Sequence, residues 1–138
     1  MRPTKDRVFL DSNILIYSYS SSEPGKQSIA RKLISENYSI ISTQVLQELV
    51  NTITRKFGFN FTDAEKVLDE CCKNNALHIN TDDTIAQACN IARQYGFAFY
   101  DSLILAAALE AGCKTLYTED MHHTQKIGDN LIILNPFV

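Results

Sequence analysis

The sequence has no apolar run approaching the roughly 20 residues that a membrane-spanning helix needs. Its first seven residues, Met1-Arg2-Pro3-Thr4-Lys5-Asp6-Arg7, are polar, with no apolar signal region behind them. Both absences lead us to expect a cytoplasmic protein that makes no contact with membrane. Cys-x-x-Cys spacing is also missing. Of the four cysteines, Cys71 and Cys72 are adjacent on an expected helix, while Cys89 and Cys113 stand alone. No zinc ribbon or disulfide framework is encoded, and reduced, mostly packed thiols are expected. Positive charge is scarce, with 13 Lys and Arg against 16 Asp and Glu, for a formal net charge of −3. That argues against binding nucleic acid by bulk electrostatics, so any such role must rest on a local site. Repeats, low-complexity tracts and flexible linkers are absent, apart from one Ser-rich loop at residues 18–25. What remains is a single domain over residues 1–138, 45% hydrophobic and long enough to bury its own core.

The stretch Val8-Phe9-Leu10-Asp11-Ser12-Asn13-Ile14-Leu15-Ile16-Tyr17 organises the rest. An apolar run is broken by an acid, a hydroxyl and an amide, which reads as a short buried strand delivering a carboxylate at its far end. An ionised Asp beside a hydrophobic core needs a counter-charge, a set of donors or a metal. Capping of the helix that begins near Ile14 is the plain alternative.

Taken in order, the chain alternates strands with helices. Residues 8–10, 38–41, 76–79, 115–117 and 131–134 read as strands. Pro24 suits the first turn of a helix running to about Glu36. Ser42 or Thr43 caps a helix whose apolar face is Val45, Leu46, Leu49, Val50 and Ile53. Phe57, Phe59 and Phe61 form an aromatic turn, and Thr62-Asp63-Ala64-Glu65 has the form of a capping box. Thr81 caps a helix ending near Gly96. The helix 101–111 is apolar almost all round, hence buried on most sides, and Gly112 ends it. Such alternation indicates an α/β domain with a mainly parallel sheet, whose strand-to-helix junctions share one edge. Four acids fall at such junctions: Asp11, Glu48, Asp101 and Asp120. Each has a plainer reading as a helix N-terminal acid, and Glu48 sits on a flank with Gln44, Thr52 and Arg55 where a solvated side chain is equally allowed.

The segments Val8-Phe9-Leu10-Asp11-Ser12-Asn13, Ser42-Thr43-Gln44-Val45-Leu46-Gln47-Glu48-Leu49, Phe99-Tyr100-Asp101-Ser102-Leu103-Ile104-Leu105-Ala106-Ala107-Ala108 and Leu116-Tyr117-Thr118-Glu119-Asp120-Met121 resemble, in order, the four acidic motifs of PIN-domain ribonucleases. In size the chain is similar to the VapC-like toxins of toxin–antitoxin pairs. The resemblance implies a three-layer α/β/α domain with a central, mainly parallel five-stranded sheet. It places Asp11, Glu48, Asp101 and Asp120 around a divalent cation as metal ligands and catalytic residues. Asn13 and Thr118 match polar positions that assist the site, and Glu119 is the alternative to Asp120 as fourth acid. It further implies RNA as substrate, cleaved to 3′-hydroxyl and 5′-phosphate ends, a cognate antitoxin and a homodimer.

Physical chemistry is consistent with this reading. Clustered carboxylates repel one another and partly protonate, whereas Mg²⁺ or Mn²⁺ prefers oxygen ligands and removes that penalty. Such an ion would bind a phosphate oxygen and acidify an attacking water. RNA contacts are expected from Arg55, Lys56, His122, His123 and Lys126; His78, in a strand, is expected to be packed. The aromatic turn is either a partner surface or folded under its own loop. The alternatives are a housekeeping RNA-processing nuclease, a catalytically inactive PIN-like binding module, and a receiver-like phosphoacceptor, which calls for paired acids after the first strand where this chain has Ser12 and Asn13.

Overall fold

The computed structural model describes residues 6–138; residues 1–5, most of the polar N-terminal segment, lie outside the described residues. The elements in chain order are β1 (Arg7–Leu10), α1 (Ser12–Ser18), α2 (Pro24–Glu36), β2 (Tyr38–Ser42), α3 (Thr43–Arg55), α4 (Phe61–Asn74), β3 (Ala76–His78), α5 (Asp82–Tyr95), α6 (Phe99–Glu110), β4 (Thr115–Tyr117), β5 (Lys126–Ile127) and β6 (Leu131–Leu134).

The sheet runs β3-β2-β1-β4-β6-β5. The five expected strands are all parallel neighbours, with Phe9 opposite Ile40 on one side and Leu116 on the other. Those three side chains are buried, as a strand covered on both faces requires. A sixth strand departs from expectation: β5 pairs antiparallel with β6, Ile127 opposite Leu131. Its two residues lie in a polar segment too short to show alternation. Gly128, at φ +62°, makes the reversal, and its N–H donates to the Tyr95 hydroxyl at 2.9 Å.

Right-handed crossovers put α1 to α4 on one face and α5 with α6 on the other. The packing agrees: α1 lies against α2 and α3, α3 against α4, α5 against α6, and α6 against β2 and β4. The result is three layers. Residues 102–108 of α6 are all buried, so this helix is the floor on its side of the sheet. It ends at Gly112, whose φ of +71° favours glycine, with Gly112 N–H donating to the Leu109 carbonyl and Cys113 N–H to that of Ala108.

Caps set the helix starts. Ser42 Oγ accepts from Val45 N–H, and Thr81 forms a capping box with Thr84. For α4 the cap is Asn60, accepting from Asp63 N–H at 2.8 Å, rather than Thr62; Asx caps are as strong as Thr, and helix begins at Phe61. The aromatic turn divides: Phe57 and Phe59 pack against each other at 6.3 Å between centroids and against the core, while Phe61 is 71% exposed. Cys71 and Cys113 are buried, but Cys72 and Cys89 are exposed, so only two of the four thiols are packed. His78 is partly buried, with its Nε2 3.0 Å from Glu110 Oε1.

Chain order reverses between β1 and β4. The chain builds β2 and β3 to one side of β1, then returns to place β4 and β6 on the other. A parallel sheet opens a crevice beyond its carboxyl edge at that point, between the residues that follow Leu10 and those that follow Tyr117.

Candidate active site

Asp11 leaves β1 directly into this crevice and is only 5% exposed. Its backbone N–H still pairs with the Tyr117 carbonyl at 3.1 Å, holding the two strand ends together. Oδ1 accepts the Ser12 N–H at 2.7 Å, so Asp11 does cap α1, and Oδ2 accepts the Thr118 hydroxyl at 2.8 Å. Capping and delivery into the crevice are thus one arrangement.

Asn13 and Thr118 join the two strand ends. Asn13 Nδ2 donates to Thr118 Oγ1 at 3.3 Å and to Asp120 Oδ2 at 3.0 Å, and its Oδ1 accepts the Glu119 N–H at 3.3 Å. Thr118 is fully buried; its Oγ1 also accepts the Asp120 N–H at 3.2 Å. The turn after β4 is thus tied to the start of α1 through Asp11 and Asn13, which sets the Asp120 carboxylate beside Asp11. Glu119 is turned away. Its carboxylate takes the Lys26 ammonium at 2.6 Å, and Lys26 also lies 4.7 Å over the Tyr17 ring. Burial pushes the Glu119 carboxyl up, but the Lys26 and Tyr17 hydrogen bonds outweigh it and leave it below its ordinary range.

Glu48 reaches the crevice from the second turn of α3. Its Oε1 is buried with no hydrogen-bond partner. Burial, followed by the charges of Asp11 and Asp101, pushes its carboxyl up to about 7, with the Ser12 hydroxyl drawing it partly back. Burial likewise raises Asp11 to about 6 against the Thr118 and Ser12 hydrogen bonds, with Asp120 and Asp101 adding to the rise. Asp101, in the first turn of α6, is raised by burial and then by Asp120. The four acids, 109 positions apart in sequence at the extremes, lie within electrostatic reach of one another, and their charges add to the raised proton affinity of Asp11, Glu48 and Asp101.

Two neighbours of the acids were not legible as such. Gln44 falls on the flank that periodicity assigns to solvent, yet it is 5% exposed. Its Nε2 donates to the Tyr100 carbonyl at 3.1 Å, and its Oε1 is buried and unpartnered. It ties the helix carrying Glu48 to the residue before Asp101, a link 56 residues long that no local pattern signals. Lys26, which occupies Glu119, is equally remote. Of the expected RNA contacts, Lys56 lines a pocket that also includes Asn13. Arg55 lines a separate groove between α3 and α4, and no ion pair between Arg55 and Glu48 exists among the described residues. His123 accepts the Asn135 N–H through Nδ1, a contact within the β5–β6 region. Lys126 lies on β5, at the outer sheet edge.

The donor set suits a hard cation. All candidate ligands are oxygens, three have raised proton affinity, and Glu48 Oε1 is a buried acceptor without a donor, which a cation would satisfy. The carboxylates lie within electrostatic reach of one another without forming a closed ligand shell: among the described residues, no three Asp, Glu, His or Cys side chains are gathered tightly enough to hold an ion.

A family model described as PIN domain matches residues 8–127, and the chain belongs to that family. In fold it is similar to VapC20 from Mycobacterium tuberculosis, described as a sarcin-ricin loop cleaving toxin, with a TM-score of 0.65, 16% identity, and 82% of this chain and 89% of that one covered. It is also similar to a chain of a toxin–antitoxin complex from Klebsiella pneumoniae, at TM-score 0.71, 17% identity, and coverage of 94% and 97%. A third is VapBC2 from Rickettsia felis, solved with a DNA fragment from its promoter, at TM-score 0.66, 20% identity, and coverage of 92% and 96%. None of the curated proteins matches in sequence. Among the described residues no helix is long and apolar enough to cross a membrane.

Proposed function

We propose that the protein is an Mg²⁺- or Mn²⁺-dependent ribonuclease and the toxin of a toxin–antitoxin pair. What supports this reading is that Asp11, Glu48, Asp101 and Asp120 lie within electrostatic reach of one another at the β1–β4 crevice, with Glu48 Oε1 buried and unpartnered. When bound, the cation supplies charge neutralisation at a phosphodiester and a more acidic water.

The chain's own residues do the rest. Asp11, Glu48, Asp101 and Asp120 would hold the cation. Thr118 and the Ser12 N–H keep both Asp11 oxygens aimed, and Asn13 sets Asp120. Burial pushes the Glu48 carboxyl up to about 7, so near neutral pH it is partly protonated, and a bound cation would displace that proton. Glu119, held by Lys26, stays outside the ligand set.

Two features support partners. The groove between α3 and α4 is walled by Leu46, Val50, Phe61 and Leu68, a fit for an apolar segment of an antitoxin. Leu77 and Ile79 are exposed on and just after edge strand β3, and Ile85 on the first turn of α5, where a second protomer would cover them. The test is incubation of purified protein with transfer, ribosomal and messenger RNA in Mg²⁺, Mn²⁺ or EDTA, with the ends mapped. Defined cleavage with 5′-phosphate ends in either cation and none in EDTA is expected; cleavage in EDTA refutes the metal role. A small open reading frame with a DNA-binding N-terminus directly upstream favours a toxin over a housekeeping nuclease.

A further inference from the structure

We propose that the pocket between α1, the start of α2 and the end of α3 holds one guanine nucleotide of a single-stranded RNA, with Glu23 reading the base and Lys56 its phosphate. This rests on the nuclease reading of the acid cluster. The pocket has a volume of about 290 Å³, near the lower end for ligand sites, about 300 Å³, and suited to a single nucleotide. It shares a wall with the acid cluster, because Asn13 lines it while donating to Asp120 at 3.0 Å. A nucleotide seated there is therefore next to the phosphate that the acids face.

The lining divides by chemistry. Tyr17 and Phe57 present aromatic surface against which a base stacks, and stacking is sequence-tolerant. Tyr17 is held in place, edge-on to Phe137 at 5.1 Å and beneath Lys26. Charge then sets the direction. Four carboxylates repel a polyanion, and a chain of net charge −3 has no general attraction to offset this. Lys26 is occupied by Glu119, whereas Lys56 is in no ion pair among the described residues. Lys56 is thus the cation available to a phosphate here. Glu23 precedes α2 but makes no capping hydrogen bond, so its carboxylate keeps its acceptors for a ligand. It repels phosphate and accepts N–H. Guanine offers one carboxylate two parallel donors, N1–H and N2–H, whereas uracil offers a single N–H between two carbonyls.

The test uses nucleoside 5′-monophosphates with ¹⁵N-labelled full-length protein in EDTA, read by amide chemical-shift changes. GMP is expected to perturb residues 16–23 and 52–57 and to bind at least about threefold tighter than UMP, the difference of one charge-assisted hydrogen bond after exchange with water. Glu23→Ala removes the GMP preference, and Lys56→Ala weakens both nucleotides alike, by about fivefold. In cleavage assays both substitutions raise KM more than they lower kcat. Perturbations confined to the acid cluster, or equal GMP and UMP affinities in the unaltered protein, overturn the proposal. These readouts need no catalysis. Nucleotide binding at these residues without cleavage of any RNA keeps the pocket assignment and defeats the nuclease reading; metal-dependent cleavage without such binding does the opposite.

Discussion

Replacing Asp11 by Asn should make the metal-free protein more stable at pH 8 while removing its response to Mn²⁺. Asp11 is 5% exposed, and its carboxyl is raised from 3.8 to about 6, chiefly by burial. A carboxyl raised by folding contributes stability that is fully present below its unfolded value, near pH 4, and is lost as pH rises through about 6. Keeping Asp11 ionised at pH 8 therefore costs roughly 3 kcal/mol, at 1.36 kcal/mol per tenfold change in proton affinity. Asn removes that cost, which is already net of the hydrogen bonds from Ser12 N–H and the Thr118 hydroxyl that favour the ionised form. A gain of up to about 3 kcal/mol is expected, or roughly 10 °C in Tm for a domain of this size. At pH 4.5, with the wild-type carboxyl neutral in the folded protein, most of the gain is lost. Saturating Mn²⁺ at pH 8 raises only the wild type, by about 2.7 kcal/mol at one hundred times Kd. Thermal melts in EDTA and in MnCl₂ at both pH values are the assay. A difference between variant and wild type that is the same at pH 8 and 4.5 would show that burial of a charged Asp11 carries no cost, and an equal Mn²⁺ shift in both proteins would remove Asp11 from the metal site.

Because Glu48 and Asp11 are raised to about 7 and about 6, Mn²⁺ binding at pH 6.5 should release protons, seen as a buffer-dependent calorimetric enthalpy that becomes buffer-independent at pH 9. A buffer-independent enthalpy at pH 6.5 would be the contrary result. Glu119→Gln breaks a partly exposed ion pair worth at most about 1 kcal/mol and should lower cleavage less than about tenfold, whereas Asp120→Asn should lower it at least about a hundredfold; the reverse order exchanges the two residues' roles. Ala107→Leu adds three carbons to a fully buried site on α6 and should destabilise by about 1–3 kcal/mol or more, read as a lower urea midpoint. An unchanged midpoint would mean that the α6 face is loosely packed.

What was legible in the sequence was what local chemistry dictates. The apolar run before Asp11, the cap at Ser42, the all-round apolar helix and the glycine after it each specify their own structure within a few residues, and the alternation of strand and helix then places the junction acids along one edge. What was not legible depends on distant partners or on very short segments. Lys126 and Ile127 make a strand only because Leu131 and Ile132 lie alongside. Gln44 is buried only because the Tyr100 carbonyl arrives opposite it. Periodicity therefore misplaced it, and left the adjacent Glu48 undecided. The choice between Glu119 and Asp120 as the residue beside Asp11 depends on Lys26 and Asn13, both about a hundred positions away. Asn60 caps α4 in place of Thr62 because the helix already begins at Phe61, which brings the Asp63 N–H to Asn60 Oδ1.

If Asp11, Glu48, Asp101 and Asp120 share a hard cation, a paramagnetic ion will act first on their carboxyl carbons. With ¹³C-labelled protein and substoichiometric Mn²⁺, the side-chain carboxyl signals of Asp11, Glu48, Asp101 and Asp120 should broaden together, ahead of Glu119, Asp82 and Asp83, and recover on adding EDTA. Broadening spread evenly over the acidic residues, or centred on acids outside the β1–β4 crevice, would contradict it.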